Sequence, residues 1–196
     1  GWDTRLGGSL GLTQLGGKDY QRYASLNAWI TPPLPLPAGW QLSGLTGVSH
    51  VVYPSRAYFD SSLWEARGVL TYQQGPLWLQ GSGGYGVDIG NGARAGGNRH
   101  GLFASLSARA ALGGGVLGEV GWLYQNWAGA RSYSPGLIDV ARRQHTQLLR
   151  AMVSLPLSKE HGLFLEYRTV RNRENISLFA YQSRSVQLGW QWQFGR

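Results

Sequence analysis

The sequence predicts an all-β chain, folded as an antiparallel up-and-down β-barrel of about ten strands in one domain over residues 1–196. Three observations predict it. The closing stretch puts Val186, Leu188, Trp190, Trp192 and Phe194 on even positions, and Ser185, Gln187, Gly189, Gln191 and Gln193 on odd ones. That period of two is a strand with one apolar face. The composition holds 30 Gly, 9 Trp and 10 Tyr but no Cys, a mixture suited to strands and tight turns rather than helices. Lastly, similar alternating segments recur between clusters of Gly, Pro, Asn and Ser, and the connections between them alternate in length.

The first segment, 4–15, carries Leu6, Gly8, Leu10 and Leu12 on one face, and the second, 20–31, carries Ala24, Leu26, Ala28 and Ile30. The run Pro32-Pro33-Leu34-Pro35-Leu36-Pro37 then lacks donors for a ladder and reads as an extended, polyproline-like connector. The third segment, 39–53, is the least regular, because Leu45 and Val51 fall out of phase with Trp40 and Leu42. A bulge near Gly44 or Gly47 would account for it. Segments 62–73, 77–88, 101–112, 116–127, 143–156 and 162–171 alternate cleanly, and the closing stretch makes ten. Connections 73–76, 112–115 and 156–161 are short, whereas 53–61, 88–100, 127–142 and 172–178 are longer, so short and long connections lie at opposite ends of the strands.

An apolar face of this kind meets either a second protein layer or lipid, and paired aromatics at a strand end suit the interfacial belt of a membrane. The end of the chain resembles the C-terminal assembly signal of bacterial outer-membrane β-barrel proteins, with Gln187, Gly189, Trp192 and Phe194 at its polar, Gly, hydrophobic and aromatic positions. Gly195 and Arg196 follow the aromatic residue, which usually ends that family's chains. The resemblance implies a transmembrane barrel in the outer membrane, with lipid and lipopolysaccharide around it and the barrel assembly machinery as a partner. Short turns would then face the periplasm and long connections the exterior. More faintly, Arg173 to Tyr181 resembles the end of barrels that follow tetratricopeptide repeats in envelope export and surface-assembly systems. That likeness implies periplasmic or envelope subunits as partners, and a chain that is the C-terminal part of a longer one.

The polar faces carry Arg5, Glu65, Arg67, Arg109, Glu119, Arg150, Glu166 and Arg168, which read as charges lining a lumen. A hairpin centred on Gly113–Gly115 sets Arg109 opposite Glu119, and one centred near Ser158 sets Arg150 opposite Glu166. In the connections, Arg94, Arg99, Arg131, Arg142, Arg143, Arg171 and Arg173 read as guanidinium groups for lipopolysaccharide phosphates or a partner. The net charge of +8 is almost all Arg, spread through the chain rather than gathered in one patch, which speaks against nucleic acid.

Enzyme chemistry is not expected, and no metal or cofactor is implied. The four His are scattered, no Gly-x-Ser-x-Gly occurs, and Gly81-Ser82-Gly83-Gly84 lies within a strand rather than between a strand and a helix. The functional expectation is therefore a passage or translocation channel, which the fainter resemblance narrows to the barrel of an envelope export system. The alternatives are a filled barrel that anchors and presents loops, as a receptor, adhesin or assembly factor would, and an outer-membrane hydrolase using His100 or His145.

Overall fold

Ten strands follow one another in chain order to form one antiparallel sheet in a computed structural model that describes residues 1–192. They are β1 (Asp3–Leu15), β2 (Lys18–Thr31), β3 (Trp40–Val52), β4 (Ser61–Gln74), β5 (Leu77–Gly90), β6 (Arg99–Gly113), β7 (Val116–Ser134), β8 (Ile138–Pro156), β9 (His161–Glu174) and β10 (Tyr181–Trp192). Each strand from β2 to β9 pairs with both neighbours, so β1 and β10 are the two edges, and no pairing between them closes the sheet among the described residues. No helix among the described residues is long and apolar enough to cross a membrane, which leaves open a crossing by strands. Of the C-terminal signal, Gln187, Gly189 and Trp192 lie on or at the end of β10, while Phe194 lies outside the described residues.

Register separates the two faces along the whole sheet. Leu10 stands beside Ala24, Leu26 beside Val48, Leu106 beside Trp122, Trp122 beside Leu149, Val153 beside Leu165, and Leu165 beside Leu188. These residues form one outer row. The opposite row holds most of the Ser and of the paired charges, with Ser9–Ser25, Thr31–Ser43 and Ser82–Ser105 hydroxyl pairs at 2.7–2.8 Å. The third strand keeps this phase without a bulge. Pairings run unbroken from Trp40↔Tyr72 to Val51↔Ser61, which turns Leu45 and Val51 inward beside polar neighbours. A few apolar side chains on the inner row explain the irregular pattern better than a break in the ladder.

The outer row is where most apolar surface lies. Among the described residues, only Val69, Phe103, Trp127 and Ile176 are buried apolar side chains of size, whereas Leu6, Leu10 and Leu188 are 83%, 88% and 74% exposed. The side that would be the core of a water-soluble protein is thus outermost, and its area far exceeds the few hundred Å² of apolar patch that a soluble monomer exposes. A strand of 13 residues, such as β1, is about 43 Å long, enough to cross a hydrocarbon layer of about 30 Å at a tilt near 45°. Aromatic residues gather on the outer row at the rim that holds both termini, where Trp40 packs on Tyr72 at 4.9 Å and Trp190 on Trp192 at 6.3 Å.

That rim also holds the tight turns at 75–76 and 114–115 and the connections 157–160 and 32–39. The last does not run as a plain polyproline helix. Leu34 and Leu36 donate to the carbonyls two residues before them, and Trp40 to Pro37, so the prolines are folded into consecutive small turns. The opposite rim bears 53–60, 91–98 and 175–180, and the hairpin β7–β8. This hairpin corrects the expectation of a long loop at 127–142: both its strands have 19 residues, with register shifts near Ser132 and Ser134, and the turn is at 135–137 around Gly136 (φ 83°). Within it, the Arg142 guanidinium lies 6.0 Å from the Tyr133 ring centre, a contact across the extended part of the ladder.

Glycines on the inner row seat aromatic rings from the next strand. A Cβ at Gly86 would lie 2.8 Å from the Phe103 ring, and one at Gly101 2.7 Å from Trp127. Gly86→Ala should therefore lower the urea midpoint by the equivalent of about 1–3 kcal/mol, the usual cost of overpacking a buried ring. Gly68→Ala on the outer row, where a Cβ meets nothing within 4 Å, should leave it nearly unchanged.

Candidate functional site

The inner face carries its charges in tiers. Near the rim of short turns, Arg109 lies opposite Glu119 in register, with Nε 3.3 Å from Oε1. Arg150 donates to Glu166 at 2.8 Å and approaches Glu119 at 3.9 Å. The result is a chain of alternating charge across β6 to β9. The second of these pairs is not directly across the ladder as the turn at Ser158 suggests: Arg150 is paired in register with Arg168, and Glu166 with Met152. The 157–160 connection moves the register by two, so the long Arg side chain reaches its acid diagonally. A cavity of about 680 Å³ opens beside them, lined by Trp78, Ser107, Arg109, Glu119 and Arg150.

In the middle, Arg67 pairs with Glu65 two residues away on the same strand at 2.7 Å, and its guanidinium lies 4.8 Å from the Phe103 ring centre. Contact from β4 to β6 across the glycines of β5 shows that the sheet is concave on this face. Arg5, at the β1 edge, pairs with Asp3 and stays 75% exposed, while Arg168 faces inward without an acidic partner among the described residues.

The tier near the long-connection rim is the most enclosed. Asp88 accepts from Arg94 at 2.8 Å and from Arg99 through Nε and Nη2 at 2.9 and 2.6 Å, and Arg99 also lies over Trp127. On the other side, Arg142 donates to both oxygens of Glu174 at 2.6 Å and stacks over Phe179 at 4.4 Å. Asn172 joins Glu174 to the Phe179 carbonyl at 2.9 Å each, and the Thr146 hydroxyl donates to Asn172. The side chains of Asp88 and Glu174 are 4% and 0% exposed, so this end of the interior is filled with paired charge and rings.

Four of the arginines expected to face lipopolysaccharide are therefore engaged elsewhere. Arg94, Arg99 and Arg142 reach carboxylates inside, and Arg131 donates to the Gly92 carbonyl at 3.5 Å, tying the 91–98 connection to β7. Buried carboxylates outcompete solvent for a guanidinium that can reach them. Arg143, Arg171 and Arg173 do sit on the outer row. Asp88 and Glu174, the acids that organise the enclosed tier, were legible in part: Glu174 is an even number of residues from Glu166, which puts both on one face.

All four His lie on the outer row. His50 contacts Ser62 at 2.8 Å, His145 the Tyr124 hydroxyl at 3.3 Å, His100 is beside Tyr85, and His161 stacks on Trp190. None touches a carboxylate, and no cluster of three metal-ligating groups occurs among the described residues.

Asp88→Ala should destabilise the protein by about 3–5 kcal/mol, because it leaves two arginines buried without their acid. Arg168→Gln, which breaks no ion pair, should shift the unfolding midpoint by less than about 0.5 kcal/mol in the same denaturant titration.

No family model matches the chain, and no curated protein sequence does. Among solved structures, it is similar to the β domain of the Bordetella autotransporter BrkA, with 16% identity, a TM-score of 0.48, and coverage of 96% of this chain and 82% of that one.

Proposed function

We propose that this protein is a β-barrel of the bacterial outer membrane whose polar interior forms a passage across it, with translocation rather than catalysis as its role. The observation that carries this reading is the division of the sheet, with Leu6, Leu10, Leu149, Leu165 and Leu188 on a continuous outer row and the Arg–Glu chain within. Hydrocarbon tolerates strands only where every backbone group is paired and the outer side chains are apolar. Both conditions hold from β2 to β9, and closure would come from joining β1 to β10 or from further strands. The rim with Trp40, Tyr72, Trp190 and Trp192 would face the periplasm, where β10 would present its signal to the barrel assembly machinery. A place in an envelope export system, with periplasmic subunits as partners, is the narrower form of the reading.

A second reading, a filled barrel that anchors and displays its outer connections, is favoured by the enclosed tier around Asp88 and Glu174 and by the protruding β7–β8 hairpin. No observation favours a hydrolase, since His100 and His145 face outward without an acid.

Spin labels at Leu165 or Leu188 in reconstituted protein should relax with dissolved oxygen, and labels at Ser105 or Ser107 with a water-soluble nickel chelate. The reverse pattern would remove the membrane reading. In planar bilayers, the protein should conduct weakly, and Asp88→Ala with Glu174→Ala should raise single-channel conductance by loosening the enclosed tier. Silence from both would select the anchor.

A further inference from the structure

We infer that the inner face of β7–β9 carries a binding site for an aliphatic carboxylate, with the carboxylate at Arg168 and the chain along Leu123, Leu148 and Val170. The inference rests on the reading of the interior as a passage and adds a class of ligand to it. In register, Arg168 stands opposite Arg150 on one side and Ser185 on the other, and the same row continues through Gly121 to Ser107. One inward step along the strands, toward the long connections, Leu123, Leu148 and Val170 stand side by side on β7, β8 and β9.

Charge at this height is unbalanced, and Arg168 is where the excess lies. Arg109, Arg150 and Arg168 share only Glu119 and Glu166: Arg109 lies 3.3 Å from Glu119, while Arg150 lies 2.8 Å from Glu166 and 3.9 Å from Glu119. Strand β10 contains no Asp or Glu, so on that side Arg168 meets Ser183, Ser185 and Gln187. Like charges directly opposite in an antiparallel pair have Cβ atoms about 4.5–5.5 Å apart and repel. A carboxylate placed between Arg150 and Arg168 relieves that repulsion, and its two oxygens match the guanidinium fork.

An aliphatic acid fits better than an inorganic anion because of the row above. Leu123, Leu148 and Val170 are half-buried on a face that no second layer covers, whereas the same row holds Ser82 and Ser105 on β5 and β6 and Ser183 on β10. Three strands make an apolar strip about 10 Å wide. Cation and strip are two residues apart on β9, the separation of head and tail in one amphiphile. Access comes from the rim of short turns, where the cavity of about 680 Å³ is lined by Ser107, Gly121 and Arg150, members of the Arg168 row.

The test uses the full chain in phosphatidylcholine nanodiscs, dialysed to equilibrium against labelled octanoate or butyrate, with the uptake of empty discs subtracted. Octanoate should bind at least about tenfold more tightly than butyrate, since each methylene buried strengthens binding by about fourfold. Arg168→Gln should weaken octanoate binding by about tenfold or more, the loss expected for a charge-assisted hydrogen bond. Leu148→Ala with Val170→Ala should weaken octanoate and leave butyrate unchanged. Arg184→Gln, on the outer face beside Thr169, should change neither. Should the double alanine variant fail to fold, the two acids on the unaltered protein still decide whether the strip holds the chain. Uptake no greater than that of empty discs, equal binding of the two acids, or equal losses from Arg168→Gln and Arg184→Gln would overturn the inference. The chain has no Cys, so Ser185→Cys accepts a single nitroxide label, which should relax with a water-soluble nickel chelate. Relaxation by dissolved oxygen instead would overturn the passage reading beneath the inference.

Discussion

The pairing of backbone groups between neighbouring strands is the constraint on which everything else in this structure depends. Eight of the ten strands have a partner on both sides, so their amides and carbonyls are used within the sheet whatever surrounds it. With the backbone satisfied, the side-chain rows are free to differ, and a period of two makes one row mostly apolar and the other mostly polar across the ten strands. A single slip of register would exchange the rows and put Arg109 and Arg150 in place of Ala108 and Leu149. Hydroxyl pairs such as Ser82–Ser105 and rings seated on glycines hold that register from the inside.

The inner face is unevenly filled, and the reason lies in the sizes of its residues. Toward the short turns, the Arg109–Glu119–Arg150–Glu166 chain borders an open cavity, because Ser107 and Gly121 on the same strands are small. Toward the long connections, Trp127, Phe179 and Tyr133 lie against the arginines that hold the two carboxylates, so that Arg99 and Arg142 each have both an acid and a ring. Rings and acids together make an arginine costly to move, since withdrawing it forfeits stacking and strands a buried charge. The same interior thus has an open end and a dense end, and the dense end is what discriminates between passage and anchoring.

Arginine is used in two distinct ways in one chain, and the distinction follows the rows rather than the sequence neighbourhood. Arg142 and Arg143 are adjacent, yet one is held by Glu174 inside and the other stands outside with its side chain exposed. Arg171 and Arg173 lie outward on either side of Asn172, which is buried and bonded to Glu174. Adjacent positions along the chain thus come to lie on opposite faces of the sheet. The same alternation lets one rim hold outward cations and inward ion pairs at the same height.

Alternation, turn residues and composition were enough for the sequence by itself to determine the strand class, the count of ten, the meander and the face on which each of Leu149, Leu165 and Leu188 lies, because these are local properties of a period of two and of glycine-rich turns. Only the tertiary structure decided that the third strand runs without a bulge, that 127–142 is ladder and not loop, and that Arg150 meets Glu166 on a diagonal. It also decided which arginines are free for an outside partner. Those outcomes depend on register and on side-chain reach between strands far apart in the chain, and an Arg in a connection carries no mark of whether Asp88 or Glu174 will come within 3 Å of it.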